Sequence, residues 1–319
     1  MGWVSVAVRC LGKLTQAKLG RAAAKKNRGE MTRKKEEWRQ AKSDFFNSAP
    51  GSASFLNRFG FPGPMLYIIG IGLGDEKDIT VRGLEKVREC DIVYLESFTS
   101  WLPADLGRLE RFYGKKIAPV DRAFVENGET ILSQARQKKV ALLVIGDPLF
   151  ATTHMSLVLE ARKKGIKLEI IHNASIFSAI GQTGLQLYKF GRTTSIPLPA
   201  QSYRPETFYD VLRENRTLGL HTLFLLDIKP EENRFLKVND AIKLLLGIEK
   251  RRKQEVFGEK TLCIGCARLG SPDQKIVSGK AGQLLGENFG KPPHCLIVPG
   301  ELHFVEEEAL KLFSGKARK

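Results

Sequence analysis

The chain has few cysteines: five in 319 residues, at Cys10, Cys90, Cys263, Cys266 and Cys295. An odd and widely spaced set does not form a disulfide framework, so we expect reduced thiols in a cytoplasmic protein. Cys263 and Cys266 have the Cys-x-x-Cys spacing of redox and zinc sites. A zinc site needs four ligands, however, and no second pair stands at a matching spacing. The surrounding TLCIGCARLG is typical of a buried strand, so we predict no metal site.

Long apolar runs are also missing. No segment reaches the roughly 18 consecutive apolar residues of a membrane-spanning helix, so we expect no membrane partner. The opening MGWVSVAVRCLG is apolar, but its first basic residue, Arg9, comes after the apolar run instead of before it. This order argues against a secretory signal. Residues 1–29 hold seven basic and no acidic residues, which leaves a mitochondrial presequence open.

Acidic residues are scarce in residues 1–64, which carry 13 Lys and Arg against 4 Asp and Glu. We interpret this segment as a basic, disordered extension that ends in a Ser-, Gly- and Pro-rich linker over 47–64. A basic segment of this kind is also compatible with binding to RNA or a ribosome. RNA-recognition patterns with stacking aromatics are missing, so we consider nucleic acid an unlikely partner except through this extension.

The sequence also lacks a Walker loop, a convincing Ser-His-Asp set, a pair of catalytic carboxylates and a metal-ligand cluster. These absences argue against phosphoryl transfer and hydrolysis. From Met65 onward the chain instead alternates between apolar strands and amphipathic helices. Such alternation predicts an α/β fold with a mostly parallel sheet and crossover helices. We predict two α/β domains, over residues 65–174 and 175–319.

Two loops at predicted strand ends are candidate ligand sites. Gly70-Ile-Gly72-Leu-Gly74 comes at the end of the strand MLYIIG, and glycines there allow a ligand close to the backbone. Gly146-Asp147-Pro148 comes after the strand VALLVI, at the sheet edge where α/β proteins bind ligands. The carboxylate of Asp147 would accept hydrogen bonds from a ribose or an ammonium group. The spacing G-x-G-x-G departs from the dinucleotide fingerprint, so the glycines alone do not identify a ligand.

The threonines, the histidine and the serine near these loops could have a structural role instead of a functional one. Thr152 or Thr153 would cap the next helix, and His154 is more often structural than a base at such a position. Ser175, in the segment IHNASI, precedes an apolar helical run and is expected to cap it. Its functional alternative is a turn whose backbone N–H groups face a ligand.

Seven segments extend these motifs along the chain in a fixed order. They read MLYIIGIGLGDEKDITVRGLE, VIGDPLFATTH, IHNASI, GLQLYKFGRT, NRTLGLHTLFLLDIK, ARLGSPDQKI and PPHCLIVPGELHFVE. Together they cover nearly all of residues 65–319 and resemble the diphthine synthase family, within the tetrapyrrole-methylase (class III) methyltransferases. Residues 1–64 have no counterpart in the resemblance, and family members typically begin at the position of Met65. We therefore expect a dispensable extension and a functional start at Met65.

The resemblance implies a fold, a cofactor and a set of contacts. The fold would be two α/β domains with S-adenosylmethionine in the cleft between them, usually in a homodimer. Carried over position by position, the cofactor contacts are Leu73, Asp147, Phe150, Ser175, Ile176, Leu226, Leu269 and His294. Phe150 departs from the family, which usually has a small residue there, so its ring must point away or reshape the pocket. A catalytic residue is not indicated.

The substrate that the resemblance implies is a modified histidine of translation elongation factor 2, in diphthamide biosynthesis. Its 3-amino-3-carboxypropyl group would be methylated on nitrogen. The segments LLLGIEKRRKQEVF and PPHCLIVPGELH look closer to the archaeal branch, which favours trimethylation over the ester-forming variant with four methyl groups. A tetrapyrrole methyltransferase of the same fold is the other alternative, against which YKFG and HTLFLLDIK argue.

Overall fold

The computed structural model describes residues 63–96, 105–199 and 205–314. The predictions for the basic extension, its linker up to residue 62 and the presequence therefore fall outside the described residues. From residue 63 onward the described chain forms one compact unit with two five-stranded sheets. Within these ranges no helix is long and apolar enough to cross a bilayer.

The first sheet is parallel throughout, in the order β3-β2-β4-β1-β5. Its strands are β1 (Met65–Gly70), β2 (Ile92–Glu96), β3 (Ala118–Val120), β4 (Lys139–Val144) and β5 (Leu168–Ile171). Its helices are α1 (Val81–Glu89), α2 (Leu106–Tyr113), α3 (Arg122–Asn127), α4 (Glu129–Ala135) and α5 (Met155–Lys163). The alternation seen in the sequence thus predicted this half correctly.

The central strands β1 and β4 are apolar, apart from Lys139 at the start of β4, because helices cover both faces of the sheet. Leu66 and Ile68 face a cluster with α4 and α5, whereas Tyr67 and Ile69 face a cluster that includes residues of α1 and α2. In a parallel sheet of this kind the carboxyl ends of all strands meet at one edge. The loops after β1, β4 and β5 therefore lie side by side.

The second sheet is mixed, in the order β11-β10-β12-β7-β6. Its strands are β6 (Thr194–Ile196), β7 (Thr222–Leu226), β10 (Leu262–Ala267), β11 (Lys275–Lys280) and β12 (His294–Val298), and a separate hairpin pairs β8 (Ile228–Lys229) with β9 (Arg234–Phe235). The helices are α6 (Ile176–Ala179), α7 (Thr207–Thr217), α8 (Val238–Arg252), α9 (Ala281–Leu284) and α10 (Phe304–Lys311).

Only the pair β6–β7 is parallel in this sheet; the other three pairings are antiparallel. The antiparallel pairing of β10 with β11 follows from their connection, a short turn over 268–274 instead of a crossover helix. The predicted strand TLCIGCA is confirmed as β10, with Cys263 and Cys266 fully buried. The domain boundary predicted at 174/175 falls between β5 and α6 and stays a prediction.

A buried ion cluster attaches α10 to the second sheet. The carboxylate of Glu306 is fully buried; it accepts hydrogen bonds from His221 Nε2 at 3.0 Å and from Lys189 Nζ at 2.6 Å. The backbone N–H groups of Gln186 and His303 donate to the same carboxylate at 2.8 Å each. Burial alone would raise the pKa of Glu306, but these four donors lower it to about 2. The cluster joins three of the seven segments that are far apart in sequence: GLQLYKFGRT, NRTLGLHTLFLLDIK and PPHCLIVPGELHFVE.

Candidate active site

A cavity of about 620 Å³ opens beside the carboxyl edge of the first sheet and is also lined by residues of the second sheet. All eight residues that the family resemblance indicated as cofactor contacts line it: Leu73, Asp147, Phe150, Ser175, Ile176, Leu226, Leu269 and His294. The structure thus brings together positions spread over more than 220 residues of sequence. Their contact with a cofactor stays a prediction.

The glycine turn after β1 shapes the cavity indirectly. Gly72 has a φ of +81°, and a Cβ added to it would lie 2.4 Å from the Cβ of Asp78. Asp78 in turn accepts hydrogen bonds from the backbone N–H groups of Leu73 at 3.1 Å and Gly74 at 2.7 Å. The missing side chain of Gly72 therefore makes room for this aspartate and not for a ligand. Leu73 is the residue of the turn that reaches the cavity.

Asp147 is buried and joins two loops of the sheet edge. Its Oδ1 accepts from Leu149 N at 2.9 Å, and its Oδ2 accepts from Asn173 N at 3.1 Å and contacts His172 Nδ1 at 2.8 Å. The carboxylate therefore fixes the Gly-Asp-Pro loop against the loop after β5. The preceding residue, Gly146, also lines the cavity and has a φ of +81°, a conformation that favours glycine.

Phe150 lies at the margin of the cavity with half of its surface exposed. Its ring packs against Phe177, with the ring centroids 5.3 Å apart and an angle of 35° between the planes. Both phenylalanines belong to the lining, and whether the ring of Phe150 reshapes the pocket stays a prediction.

Ser175 is the N-cap of α6. Its Oγ accepts from Phe177 N at 3.2 Å, and its own N–H donates to Ser178 Oγ at 3.1 Å. The predicted capping role is confirmed, and the cap also holds Ser175 and Ile176 in the cavity wall. The structural and the functional interpretation of this residue are therefore compatible.

The second sheet contributes Leu226 at the end of β7, Leu269 after β10 and His294 at the start of β12. Burial lowers the pKa of His294, which favours the neutral imidazole. Its Nε2 lies 3.1 Å from the carbonyl oxygen of Lys291, so we assign the proton to Nε2. The buried Nδ1 then presents a lone pair that has no hydrogen-bond partner within the described residues.

The structure does not support His154 as a base, whereas Thr152 and Thr153 line the cavity. His154 is buried, its Nδ1 lies 3.2 Å from Pro148 O, and it is not part of the lining. The predicted threonine cap of α5 is wrong, because the N-cap residue is His154, without a capping side-chain bond. The hydroxyl of Thr152 donates to Pro148 O at 2.9 Å instead, within its own loop.

Known proteins share this arrangement of sheets and loops. A family model described as tetrapyrrole (corrin/porphyrin) methylases matches residues 65–285. The chain belongs to this family. It is a methyltransferase, and the resemblance drawn from the seven segments is confirmed.

This methylase aligns with its relatives over almost the whole length of the relatives. Human diphthine methyl ester synthase is 48% identical over 271 residues, which cover 78% of this chain and 95% of that protein. The diphthine synthase of Methanocaldococcus jannaschii is 47% identical over 251 residues, which cover 77% and 98%. A solved structure assigned as a diphthine synthase of Entamoeba histolytica superposes with a TM-score of 0.74 at 46% identity, covering 80% of this chain and 100% of that chain.

Several lining residues of the methylase cavity escaped the sequence analysis. They include Asp227, Arg268 and the cross-strand neighbours Cys266 and Cys295. Asp227 and Arg268 each stand next to a predicted contact, Leu226 and Leu269, at the end of an apolar strand. A polar residue directly after such a strand was the available signal. The pairing of β10 with β12, which places the two cysteines opposite each other, was not readable from the sequence.

Proposed function

We propose that this methylase is a diphthine synthase, which transfers methyl groups from S-adenosylmethionine to the modified histidine of translation elongation factor 2. The observation that carries the proposal is the convergence of eight predicted contacts, from both sheets, in one cavity. Relatives named for diphthine substrates support it over a tetrapyrrole substrate.

The residues present fit S-adenosylmethionine. The cavity volume of about 620 Å³ is in the range of small-molecule sites. Leu73, Ile176, Leu226 and Leu269 provide apolar walls for an adenosine, and the Nδ1 of His294 provides a buried hydrogen-bond acceptor for its amino group. Neutral His294 is suited to this role because a charged imidazolium would repel a sulfonium ion.

The reaction requires few acid–base groups in the cavity lining. S-adenosylmethionine supplies an electrophilic methyl group when bound. The apolar lining would exclude water, while Asp147, held by three hydrogen bonds, would keep the two loops of the first sheet in one arrangement. Alignment of the substrate nitrogen with the methyl carbon then supplies the main part of the rate enhancement.

We infer that the amino group is methylated, with trimethylation and ester formation as the two candidate products. Sequence identity does not distinguish between these two products, because it is 47% to the archaeal diphthine synthase and 48% to the human methyl ester synthase. The expected closeness to the archaeal branch is therefore not decisive. Both products require the same amine methylations. The ester adds one transfer to a carboxylate.

The test uses the full chain, S-adenosylmethionine with a labelled methyl group, and elongation factor 2 that carries the unmethylated aminocarboxypropyl histidine. Mass analysis of the histidine peptide should show a gain of about 42 Da for three methyl groups or about 56 Da for four. Transfer to the same factor with an unmodified histidine is the negative control. A folded chain that binds S-adenosylmethionine and transfers no methyl group would refute the proposal.

We further propose that the enzyme is a cytoplasmic homodimer. Four exposed apolar side chains support an interface: Leu187, Tyr188, Phe304 and Val305. Their two segments lie together because Lys189 donates to Glu306 and to Glu301 O. Light scattering of the native protein should give twice the mass of the 35.6 kDa chain. A monomeric mass, or a mitochondrial position on cell fractionation, would contradict this part.

A further inference from the structure

Asp227 is a charged residue of the cavity wall that no contact prediction included. It comes directly after Leu226, at the point where β7 leaves the sheet. Its backbone is fixed on two sides, because its N–H donates to Ile196 O at 3.1 Å and its carbonyl oxygen accepts from Leu236 N at 3.0 Å. The carboxylate Oδ2 accepts from Leu198 N at 2.9 Å. The side chain therefore has a defined position beside a predicted cofactor contact.

The other oxygen distinguishes Asp227 from the second aspartate of the cavity. Asp147 is buried and uses both oxygens on its own loops. Asp227 is only half-buried, and its Oδ1 has no hydrogen-bond donor within the described ranges. A carboxylate of a cavity wall with one oxygen anchored and the other without a protein donor is suited to bind a cationic group.

The guanidinium of Arg268, which also lines the cavity, makes its hydrogen bonds with other residues. Arg268 donates to Asp273 and to the carbonyl oxygens of Phe289 and Lys291. Arg122 lies 3.6 Å from Glu126. The titratable and charged groups around Asp227 include Arg122, Asp147, Lys229, Glu232, Arg234, Lys237, Cys266, Arg268, His294 and Cys295.

The proposed substrate carries an ammonium group, which has no lone pair and cannot attack. Before each transfer the nitrogen must lose one proton. Its lone pair then forms the N–C bond while the methyl C–S bond breaks, and that electron pair stays on the sulfur. Three transfers therefore release three protons and leave a quaternary ammonium. A fixed carboxylate that receives these protons and passes them to water would complete the balance.

We propose that Asp227 binds the ammonium group of the substrate and accepts the proton that the nitrogen loses before each methyl transfer. The inference rests on the proposed function and adds a catalytic residue to it. Methylation of the neighbouring carboxylate, in the ester-forming variant, needs no proton removal and is therefore independent of this role.

The decisive variant is Asp227→Asn, because an amide oxygen still accepts the hydrogen bond from Leu198 N while the charge is lost. We expect single-turnover methylation of the amine at pH 7 to fall about 100-fold. The deficit should narrow towards pH 9.5, because hydroxide then removes the proton. Asp227→Glu should restore part of the rate. Asp240→Asn, on α8 away from the cavity lining, is the matched control and should behave like wild type.

A binding measurement without methyl donor separates this role from a structural one. The affinity of Asp227→Asn for the unmethylated factor should fall about tenfold or more, since a charge-assisted bond is lost. Its affinity for S-adenosylmethionine should stay within about twofold of wild type.

Equal amine methylation by wild type and Asp227→Asn at pH 7 would overturn the inference and leave the proposed function intact. A pH-independent deficit accompanied by loss of S-adenosylmethionine binding would also overturn it, in favour of a structural role. A wild-type chain without transfer would refute the proposed function and this inference together.

Discussion

The carboxylate of Asp147 offers the sharpest test of how the first sheet builds its half of the cavity. Asp147→Ala removes the acceptor for Leu149 N, Asn173 N and His172 Nδ1. Asp147 is 2% exposed, so water does not readily replace the lost oxygens. The loops after β4 and β5 then lose their direct connection through this side chain.

The magnitude depends on the groups left without a partner. Each partly buried backbone N–H that loses its acceptor costs about 1–3 kcal/mol. Two such groups give about 2–6 kcal/mol, and some relaxation of the loops favours the lower half of that range. The pair with His172 adds little, because the histidine side chain is 63% exposed and solvent screens the interaction. Asp147→Asn should cost about 1–3 kcal/mol, since an amide retains one acceptor oxygen.

The assay is urea unfolding of the full chain monitored by circular dichroism, with S-adenosylmethionine affinity measured in parallel by equilibrium dialysis. We expect the order wild type, Asp147→Asn, Asp147→Ala in decreasing stability. Affinity should fall in the same order, because both loops line the cavity. His172→Ala is the control and should change stability by less than about 1 kcal/mol.

Two results would refute this reasoning. An Asp147→Ala midpoint equal to that of wild type would show that the two loops are held by other contacts. A larger effect of His172→Ala than of Asp147→Ala would show that the exposed ion pair, and not the buried backbone bonds, carries the stabilisation.

Three further predictions concern buried groups. Glu306 has its pKa lowered from 4.5 to about 2, so it stabilises the fold above pH 4.5 and loses this contribution as the pH falls towards 2. The stability difference between wild type and Glu306→Gln, from urea unfolding, should therefore shrink by about 3 kcal/mol over that interval. Gly72→Ala should destabilise the chain by more than about 2 kcal/mol, because its φ is +81° and a Cβ would meet Asp78, whereas Gly165→Ala, with positive φ and open space, should cost about 1 kcal/mol. The thiol of Cys263 should react with a thiol reagent only after unfolding, since it is fully buried and burial raises its pKa.

Each of these predictions has a contradicting outcome. If the free energy of unfolding of Glu306→Gln fell with pH as steeply as that of wild type, carboxylates other than Glu306 would be responsible for the acid sensitivity. Equal stabilities of Gly72→Ala and Gly165→Ala would show that a Cβ at position 72 does not clash with Asp78. Rapid labelling of native Cys263 would contradict its place in a closed core.

Strand and helix positions in the first sheet were accessible from the sequence because each segment carries its own signal. β1 and residues 140–144 of β4 are unbroken apolar runs of the length of a strand, and Thr80 and Asp121 cap the helices α1 and α3. The second sheet was less accessible. The short segment after β10 has no helical pattern, so the sequence does not show whether the chain crosses over or turns back into β11. The composition of a strand also does not indicate whether it runs parallel or antiparallel to its neighbour.

The site was accessible in one part only. Gly146 and Asp147 stand at a strand end, a position that is informative in any parallel sheet. Leu226 and Leu269 have the composition of core residues, and only the family resemblance marked them. Asp227 was missed because a single aspartate after a strand is also a common turn residue.

The sequence by itself determined the family, the order of most elements and the identity of the eight predicted contacts, since these depend on residue types along the chain. Only the tertiary structure decided how these residues are arranged together. It placed the eight residues around one cavity, gave Gly72 a packing role, used both oxygens of Asp147 within the protein and left one oxygen of Asp227 without a donor among the described residues. The physical reason is that hydrogen-bond satisfaction and burial depend on which distant segments pack together, and that information resides in three-dimensional contacts and not in any local pattern.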